Sequence, residues 1–293
     1  MPDAPVILIT GCSSGIGKAT ALAAAARGYR VYATARQPES IRDLESRGQI
    51  RALPLDVTDA RSIGQAFATL LGEAGRLDVL VNNAGYGQYG AVEDVTAEEW
   101  RREFDVNLFG AIEVTRAALP TMRQARRGTI VNVSSVAGKI AIPFAAPYCA
   151  SKHALEAVSD ALRVELSPFG IRVVVIEPGP IETRFGERAR ASVARFLGSP
   201  GPYSAFYKNA ERAMDTDFQA GKLPAEAVAR VILEAIQSPR PKTRYPVGRM
   251  ARIFIPMRAL LSDRLLDRRM KKALKLADSQ QSTVDSGERR PDR

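Results

Sequence analysis

Six short apolar runs recur along the first 180 residues, separated by segments with helical character. "PVILIT" opens the series and "IRVVVIEPG" closes it. The runs are continuously apolar, as required when helices cover both faces of a sheet, and their alternation with helices is typical of repeated βαβ units. The chain is therefore predicted to be an α/β protein with a single doubly wound parallel sheet in three α/β/α layers.

Segments outside this alternation divide the chain further. The sheet domain is predicted to cover residues 1–247, with an irregular, aromatic-rich segment at 183–223 after the sixth strand, where a lid over a ligand belongs. Residues 248–276 are predicted to form a basic, amphipathic helical extension. The polar residues 277–293 have the composition of a disordered tail.

Composition excludes several classes of protein. The chain has 293 residues, 45% hydrophobic and 25% charged, which is typical of a soluble globular protein. It has no apolar run of the ~20 residues that a membrane span needs, and its first residues lack the features of a secretory signal. One histidine and two cysteines without ligand spacing predict no metal site and a reducing compartment. We therefore expect a cytoplasmic protein.

The formal net charge of +10 is concentrated near the end of the chain. Between residues 239 and 276, twelve basic residues oppose only Asp263 and Asp267, which accounts for the whole excess. Because the rest is close to neutral, no nucleic-acid partner is expected. The extension at 248–276 has two open interpretations: it makes peripheral contact with an anionic membrane surface, or it covers its own domain or a partner subunit.

The segment "TGCSSGIG", Thr10 to Gly17, lies between the first predicted strand and the first predicted helix. Glycines let the backbone turn sharply and approach a phosphate, and the helix N-terminus supplies free N–H groups and a favourable dipole. The spacing differs from G-x-G-x-x-G, so the glycines alone also fit a structural turn. Their place at the first strand–helix junction favours a nucleotide-binding loop of a Rossmann-type fold.

The end of the second predicted strand distinguishes between two nicotinamide cofactors. An acidic residue there would bind the ribose 2′-hydroxyl of NAD, whereas this chain has Ala35 followed by Arg36. An arginine can bind a 2′-phosphate through paired hydrogen bonds, although it also fits a solvated residue at the start of a helix. The sequence favours NADP(H), and NAD(H) is the alternative.

Further motifs follow this loop in a fixed order. They are Asp56–Val57, "NNAG" at residues 82–85, Asn107 in "NLFG", Ser135 in "VNVSSVAG", and Tyr148 and Lys152 in "YCASK". In order and spacing the chain resembles the short-chain dehydrogenase/reductase family from about residue 5 to residue 247. The segments "TGCSSGIG", "VYATAR", "YCASKHALE" and "EPGPIET" are most similar to its 17β-hydroxysteroid and retinol dehydrogenase branch.

The resemblance implies a cofactor site and a catalytic tetrad. The tetrad would be Asn107, Ser135, Tyr148 and Lys152. The cofactor would contact Tyr148, Lys152, Arg36 and the following residues: Thr10, Gly11, Ser13, Ser14, Gly15, Ile16, Gly17, Asp56, Val57, Asn83, Ala84, Gly85, Pro178, Gly179, Ile181 and Thr183. The implied activity is an NADP(H)-dependent interconversion of an alcohol and a carbonyl.

The tetrad residues fit hydride transfer to a carbonyl, which needs a proton donor for the developing alkoxide. Tyr148 has a free pKa of ~10, and Lys152, one helical turn away, is expected to lower it by charge and to bind the cofactor ribose. Ser135 would hydrogen-bond the substrate oxygen, and Asn107 would anchor a water between Lys152 and solvent. Each residue alone also fits a structural role, but their joint spacing favours chemistry.

Three other residues near these motifs are predicted to be structural. His153 directly follows Lys152, so on a helix it points about 100° away from it. It is interpreted as a packing residue. Cys12 and Cys149 are interpreted as small apolar residues that fill the core.

Aromatic residues indicate the kind of substrate. The segment from Thr183 to Phe218 contains Phe185, Phe196, Tyr203, Phe206, Tyr207 and Phe218. Tyr86, Tyr89 and Phe144 are expected at the same rim. An apolar wall suits a lipophilic substrate such as a steroid, a retinoid or a long-chain aldehyde or ketone, although the same residues fit a lid that simply packs on its domain.

Two expectations concern function class and assembly. A non-catalytic, NADP(H)-binding regulatory or sensor protein is the alternative to an enzyme, and the complete Ser135–Tyr148–Lys152 set disfavours it. The resemblance implies a homodimer or homotetramer, formed through the helices that begin near Thr96 and Pro147.

Overall fold

The computed structural model of the chain describes residues 4–197, 201–204, 206–209 and 222–273. Within these ranges seven strands form one parallel sheet in the order β3-β2-β1-β4-β5-β6-β9. They are β1 (Val6–Ile9), β2 (Arg30–Ala35), β3 (Ile50–Pro54), β4 (Val79–Asn82), β5 (Gly128–Val133), β6 (Ile171–Pro178) and β9 (Arg244–Val247). Two short strands, β7 (Ile181–Glu182) and β8 (Leu223–Pro224), form a separate parallel sheet.

Helices connect these strands. They are α1 (Gly15–Ala26), α2 (Ala60–Ala74), α3 (Ala97–Phe104), α4 (Gly110–Ala125), α5 (Ala146–Leu166), α6 (Arg184–Ala194), α7 (Ala225–Gln237), α8 (Arg249–Leu260) and α9 (Asp263–Ala273). Asp59 caps α2, and Thr96 and Glu99, in the pattern Thr-x-x-Glu, form a capping box at the start of α3. These caps satisfy N–H groups that the first turn of a helix otherwise leaves without a partner.

The core lies on both faces of the sheet, because successive side chains of a strand point to opposite sides. Ile7 and Ile9 of β1 pack on one face with residues of α1 and α7. Val6 and Leu8 pack on the other face with residues of α2 and α4. This division explains why the strands have continuously apolar sequences. The predicted doubly wound, three-layer α/β fold is confirmed.

The order of the strands positions the site. Strand β1 pairs with β2 on one side and with β4 on the other, so the chain changes direction across the sheet at this point. In open parallel sheets, ligands bind in the crevice that such a reversal leaves at the carboxyl ends of the strands. The predicted glycine loop follows β1 directly, and "NNAG" overlaps the end of β4.

Local structure differs from the sequence prediction in three places. The sequence "ESIRDLESRG" has the pattern of an ordinary helix closed by Gly48, but residues Pro38–Ser46 form a 3₁₀ helix. The long helix predicted from Thr96 is divided by a π-helical turn at Asp105–Phe109. Strand β9 was not predicted, since "RYPV" is short and contains a proline, a residue confined to edge positions; β9 pairs only with β6.

The C-terminal extension packs in part on its own domain. Helix α8 contacts β9 and the short turn Val136–Gly138, and its Ala251 is fully buried there. In α9, Leu266 is buried while its neighbours are exposed. No helix in the described part of the chain has the length and apolar character needed to cross a bilayer. Residues 274–293, which include the predicted tail, lie outside the described ranges.

Candidate active site

The predicted glycine loop forms a tight turn between β1 and α1. Gly11 has φ +73°, and a Cβ there would lie 2.8 Å from Cα of Ala84, so only glycine lets the two loops approach this closely. The Thr10 hydroxyl accepts hydrogen bonds from the N–H groups of Asn83 (3.0 Å) and Ala84 (2.9 Å). The Asn83 side-chain amide donates to the carbonyls of Thr10 and Gly11. These bonds join the ends of β1 and β4, and the joined loops form the floor of the crevice between the two strands.

The first turn of α1 faces this floor with free hydrogen-bonding capacity. Ser14 occupies the N-cap position, but its side chain makes no capping hydrogen bond. The N–H groups of the turn are therefore available to another acceptor, and the helix dipole favours an anionic one. Ser13, next to Ser14, is exposed, and a Cβ on Gly15 would lie 2.7 Å from the Thr183 methyl group. Ile16 and Ile181 pack in the same cluster.

The remaining predicted cofactor residues lie around this loop. Arg36 is exposed directly after β2, the strand beside β1. Asp56, just past β3, accepts hydrogen bonds from the N–H and hydroxyl of Thr58, and Val57 is buried. At the end of β6, Pro178 leads to Gly179, whose N–H donates to the carbonyl of Val247. All of these residues follow the carboxyl ends of strands, at the same edge of the sheet.

Ser135, Tyr148 and Lys152 come together beside this floor, and all three are buried. Ser135 follows β5, whereas Tyr148 and Lys152 project from α5 one helical turn apart. The Ser135 hydroxyl accepts a hydrogen bond from the N–H of Ala137 at 3.1 Å and acts to lower the pKa of the Tyr148 phenol. The Lys152 ammonium donates to the carbonyl of Val133 at 2.9 Å. The sequence-predicted set thus forms one connected group.

The pKa values of these groups differ from the expectation. Burial raises the pKa of the Tyr148 phenol above its usual value, and the hydrogen bond with Ser135 opposes the rise. Burial lowers the pKa of Lys152 to about 8, and the carboxyl groups of Glu103 and Glu156 oppose that change. In the protein without its cofactor, the pKa of Tyr148 is therefore not lowered as expected, because the effect of burial is larger than that of the Lys152 charge.

Asn107 lies in the π-helical turn and connects three elements. Its Oδ1 accepts from the N–H of Tyr86, and its Nδ2 donates to the carbonyl of Tyr86 and to the hydroxyl of Ser151 on α5. The Ser151 hydroxyl in turn donates to the carbonyl of Tyr148. Asn107 therefore fixes the loop after β4 against the helix that carries Tyr148. π-Helical turns are rare and often occur at functional sites.

Sequence reasoning missed Glu103, which belongs to this group. Its side chain is fully buried, and Oε1 accepts from Nδ2 of Asn107 at 2.6 Å. Burial raises the pKa of Glu103 to about 8, while the charge of Lys152 and the hydrogen bonds from Gln88 and Asn107 oppose the rise. A glutamate in "WRREFD" looks like one more charge on an exposed helix. Only its position four residues before Asn107, on the same helix face, could have indicated it.

A second buried group of charges lies behind the site. Glu156 and Glu177 are buried, and Lys139 and Arg244 lie beside them, with Lys139 Nζ 2.8 Å and Arg244 Nε 3.0 Å from Oε2 of Glu156. Arg244 also binds both carboxylate oxygens of Asp160 at 2.7 Å. Burial raises the pKa of Glu177 to about 7. These charges tie β6 and β9 to α5 and to the loop after Ser135.

Aromatic side chains cover the tetrad. The ring of Phe185 lies 5.1 Å from that of Tyr148, and Tyr89 stacks on Tyr148 at 6.3 Å. Phe144, Phe196, Tyr203, Phe206 and Tyr207 continue this wall through ring contacts. Phe218 lies outside the described residues. The described aromatic residues of the predicted lid segment therefore pack on the domain and border the site at once.

The three residues predicted to be structural do not share one environment. Cys12 and Cys149 are buried and unpaired, as their interpretation as small core residues requires. His153 is exposed, and its Nδ1 lies 2.8 Å from the carbonyl of Cys149. The interpretation of His153 as a packing residue was wrong, because that side of α5 faces solvent.

Comparison with known proteins identifies the class. The family model for short chain dehydrogenases matches residues 5–194. The chain therefore belongs to the short-chain dehydrogenase/reductase family, as the motifs predicted. It is an oxidoreductase of alcohol and carbonyl groups that uses NAD(P)(H).

Three relatives are named for particular substrates. A 3-ketodihydrosphingosine reductase of Bacteroides thetaiotaomicron is 36% identical, covering 89% of this chain and 94% of that protein. An NADPH-dependent 3-dehydrocapnine reductase of Ornithobacterium rhinotracheale is 36% identical, covering 92% and 96%. The human 17-beta-hydroxysteroid dehydrogenase type 1 is 35% identical, covering 82% and 76%, in agreement with the predicted branch.

Solved structures agree with this assignment. A short-chain dehydrogenase from Streptomyces avermitilis has a TM-score of 0.78 at 36% identity, covering 94% of this chain and 99% of that one. A Burkholderia phymatum family member in complex with NAD has a TM-score of 0.76 at 26% identity, covering 91% and 95%.

The site fits the cofactor that the family uses. The uncapped first turn of α1 suits the cofactor phosphates, because its N–H groups and dipole point to the crevice. Because Gly11 lies so close to Ala84, the floor of the crevice is formed by backbone atoms and not by side chains, which lets a cofactor approach the backbone.

Proposed function

We propose that the protein is an NADP(H)-dependent oxidoreductase that interconverts an alcohol and a carbonyl on a lipophilic substrate. The observation that carries the proposal is the buried group Ser135, Tyr148 and Lys152 beneath aromatic rings, at the edge where β1 and β4 diverge. A tyrosine with a purely structural role would need neither a buried lysine one helical turn away nor a buried serine hydroxyl that acts on its pKa.

The preference for NADP(H) is inferred from Arg36. Its exposed guanidinium follows β2, where a cofactor with a 2′-phosphate would gain a charge-assisted hydrogen bond. The residue before it is Ala35, so no carboxylate stands at the strand end to repel that phosphate. The name of the Ornithobacterium relative, an NADPH-dependent reductase, supports the same cofactor. NAD(H) remains the alternative that a side-by-side comparison tests.

The proposed substrate is a lipophilic ketone, aldehyde or alcohol such as a steroid, a retinoid or a long-chain carbonyl compound. Phe185 and Tyr89 flank the phenol of Tyr148, so a reacting carbon there would have apolar walls. The relatives named for 3-ketodihydrosphingosine and 17-beta-hydroxysteroid support this class of substrate.

In the proposed mechanism each residue has a separate task. The cofactor, when bound, supplies or accepts the hydride. Tyr148 donates the proton to the substrate oxygen, and Ser135 hydrogen-bonds the same oxygen. Lys152 favours the phenolate by its charge and binds the cofactor ribose. Asn107 holds the loop after β4 in place and anchors the water through which Lys152 exchanges protons with solvent.

A substrate screen tests the proposal. Purified protein is given NADPH or NADH with 3-ketodihydrosphingosine, a 17-ketosteroid, retinal and a long-chain aldehyde, and absorbance is read at 340 nm. We expect turnover of at least one lipophilic carbonyl, with higher kcat/KM for NADPH. NADPH binding without turnover of any substrate would favour the sensor alternative.

Assembly is part of the proposal. Phe109 lies in the π-helical turn just before α4, and Val164 lies on α5. They expose 52% and 70% of their surface, which fits a homodimer or homotetramer formed through these helices. Light scattering at several protein concentrations tests it. A monomer at every concentration contradicts it.

Peripheral membrane contact is proposed for residues 250–276. Ile253, Leu260 and Leu265 are exposed among arginines and lysines, a combination that suits an anionic lipid surface. Co-sedimentation with phosphatidylserine vesicles is expected for the full chain and not for a chain that lacks residues 250–293. Equal binding of both chains, or none, contradicts the proposal.

A further inference from the structure

We propose that Glu103 is a positioning residue of the reaction: its carboxyl group orients the Asn107 amide and keeps Lys152 charged. This inference rests on the proposed function, because it assigns Glu103 a part in the same tetrad. Glu103 is not one of the residues that the sequence motifs marked. Its surroundings distinguish it from the other glutamates of α3, since Glu98 is 77% exposed and Glu99 pairs with Arg195.

Both oxygens of Glu103 are engaged inside the protein. Oε2 accepts from the N–H of Gln88 at 3.1 Å, and Oε1 accepts from Nδ2 of Asn107 at 2.6 Å. The residue has no exposed surface. A buried carboxyl group is costly unless its hydrogen-bonding capacity and charge are met, so its presence beside the tetrad needs a reason.

The first reason is the orientation of Asn107. An amide can present either its oxygen or its nitrogen to a neighbour, and a carboxylate accepts only from the nitrogen. Glu103 therefore requires Nδ2 on its own side, which leaves Oδ1 for the N–H of Tyr86. A glutamine at position 103 could pair with either face of the amide, so the orientation of Asn107 would then depend on the backbone of Tyr86 and on Ser151 alone.

The second reason is the charge of Lys152. A Cβ placed on Gly85 would lie 2.9 Å from Oδ1 of Asn107 and 3.6 Å from Nζ of Lys152, so the amide held by Glu103 and the ammonium border the same small space. Burial lowers the pKa of Lys152, and the charge of Glu103 opposes this most among the neighbouring groups. Once its own carboxyl group is ionised, above its pKa of about 8, Glu103 thus offsets part of the desolvation that favours the neutral form of Lys152.

Other titratable groups face Glu103 from each element around it. Lys152, Tyr148 and Cys149 lie on α5, and Tyr86 and Tyr89 lie on the loop after β4. Burial is the main cause that raises the pKa of the three tyrosines and of Cys149, and the charge of Glu103 adds to the rise. On its own helix, Glu99 reaches Gln88. Lys152 is the only cation in this described set. Removing the carboxylate therefore lowers the pKa of both Lys152 and Tyr148.

Carbonyl reduction requires a protonated Tyr148 and a charged Lys152, so activity falls as pH rises through their pKa values. Both changes in Glu103→Gln act in the same direction. The alkaline limb of kcat/KM for carbonyl reduction is expected to move to lower pH by about one unit, the usual size of a single neighbouring-charge effect. Glu98→Gln, which removes an exposed charge from the same helix, should leave the limb in place.

A second variant separates charge from reach. Glu103→Asp keeps the carboxylate but draws it back from Asn107, so its alkaline limb should move in the same direction by less than half as much. If Glu103→Gln does not fold, this variant decides alone. An alkaline limb that stays at the wild-type position in the folded variants overturns the proposal.

Thermal unfolding gives a readout that needs no substrate. The folded-state pKa of Glu103 lies above its unfolded value, so the stability that its protonation contributes is lost as pH rises from about 4.5 to about 8. Glu103→Gln lacks this loss, and its melting temperature should gain on wild type across that range. A difference that is the same at every pH indicates a purely structural role and overturns the proposal. Absence of turnover in the wild type rejects the proposed function instead.

Discussion

The ammonium nitrogen of Lys152 lies 5.9 Å from the centre of the Tyr148 ring, and both side chains are buried on α5. In the chain alone, burial keeps the phenol protonated, which is the form that donates a proton during reduction. The lysine charge stabilises the phenolate once the proton has left. Their one-turn spacing therefore serves both directions of the reaction.

Tyr148→Phe tests the proton donor. The variant keeps the ring contacts with Phe185 and Tyr89 but removes the hydroxyl. We therefore expect kcat to fall by roughly 1,000-fold while NADPH binding is retained. Stopped-flow reduction and NADPH fluorescence measure the two quantities. Tyr245→Phe, on the edge strand β9, is the matched control and should remain active. Near wild-type rates in Tyr148→Phe would show that the mechanism is wrong.

Arg36→Ala tests the cofactor preference. Loss of a charge-assisted hydrogen bond costs about 1.5–3 kcal/mol, so the Kd of NADPH should rise roughly 10- to 100-fold while that of NADH stays within about twofold. Fluorescence titration measures both. Arg47→Ala removes an exposed arginine at the opposite end of the neighbouring strand and should change neither value. Equal losses for the two cofactors would contradict a 2′-phosphate contact.

Phe185→Ala tests the apolar wall. Burying a phenylalanine side chain is worth about 1.5–3 kcal/mol, so KM for a lipophilic carbonyl should rise about tenfold or more, with little change in NADPH binding. KM for a small water-soluble ketone should move less, because it covers less of the ring. Val164→Ala, at an exposed position, is the control. Parallel changes for both substrates would mean that Phe185 only packs the lid.

Glu177→Gln tests the buried charges behind the site. Burial raises the folded-state pKa of Glu177 to about 7, so the stability contributed by its protonation is lost as pH rises from about 4.5 to 7. The variant should therefore lose less melting temperature than wild type between pH 5 and pH 8. Exposed Glu182→Gln should follow wild type. An identical decline in wild type and Glu177→Gln would contradict the assignment.

The sequence identified the features that depend on local order. The glycine loop and the Tyr148–Lys152 pair are recognisable because their chemistry needs certain residue types at short, fixed spacing. The family and fold followed from those motifs and from the apolar runs, and both are confirmed.

Features that depend on distant packing were not predictable in the same way. Glu103 has the sequence surroundings of a surface residue, and only the approach of α5 and of the loop after β4 buries it. The same holds for Glu156 and Arg244, which are 88 positions apart and meet only in the folded chain. The prediction for His153 was wrong for a related reason. The apolar pattern of a helix does not indicate which of its polar-flanked faces another element covers, and His153 lies on a face that is exposed.

The π-helical turn at Asp105–Phe109 makes the length of this segment matter more than its composition. Each residue of a helix rotates the chain by about 100° about the helix axis. Deleting one residue within the turn would restore a regular helix and rotate everything before it relative to α4. Glu103 would then leave its pocket although no tetrad residue had been replaced. Substitutions at exposed Phe109 should be tolerated where a single-residue deletion beside it is not.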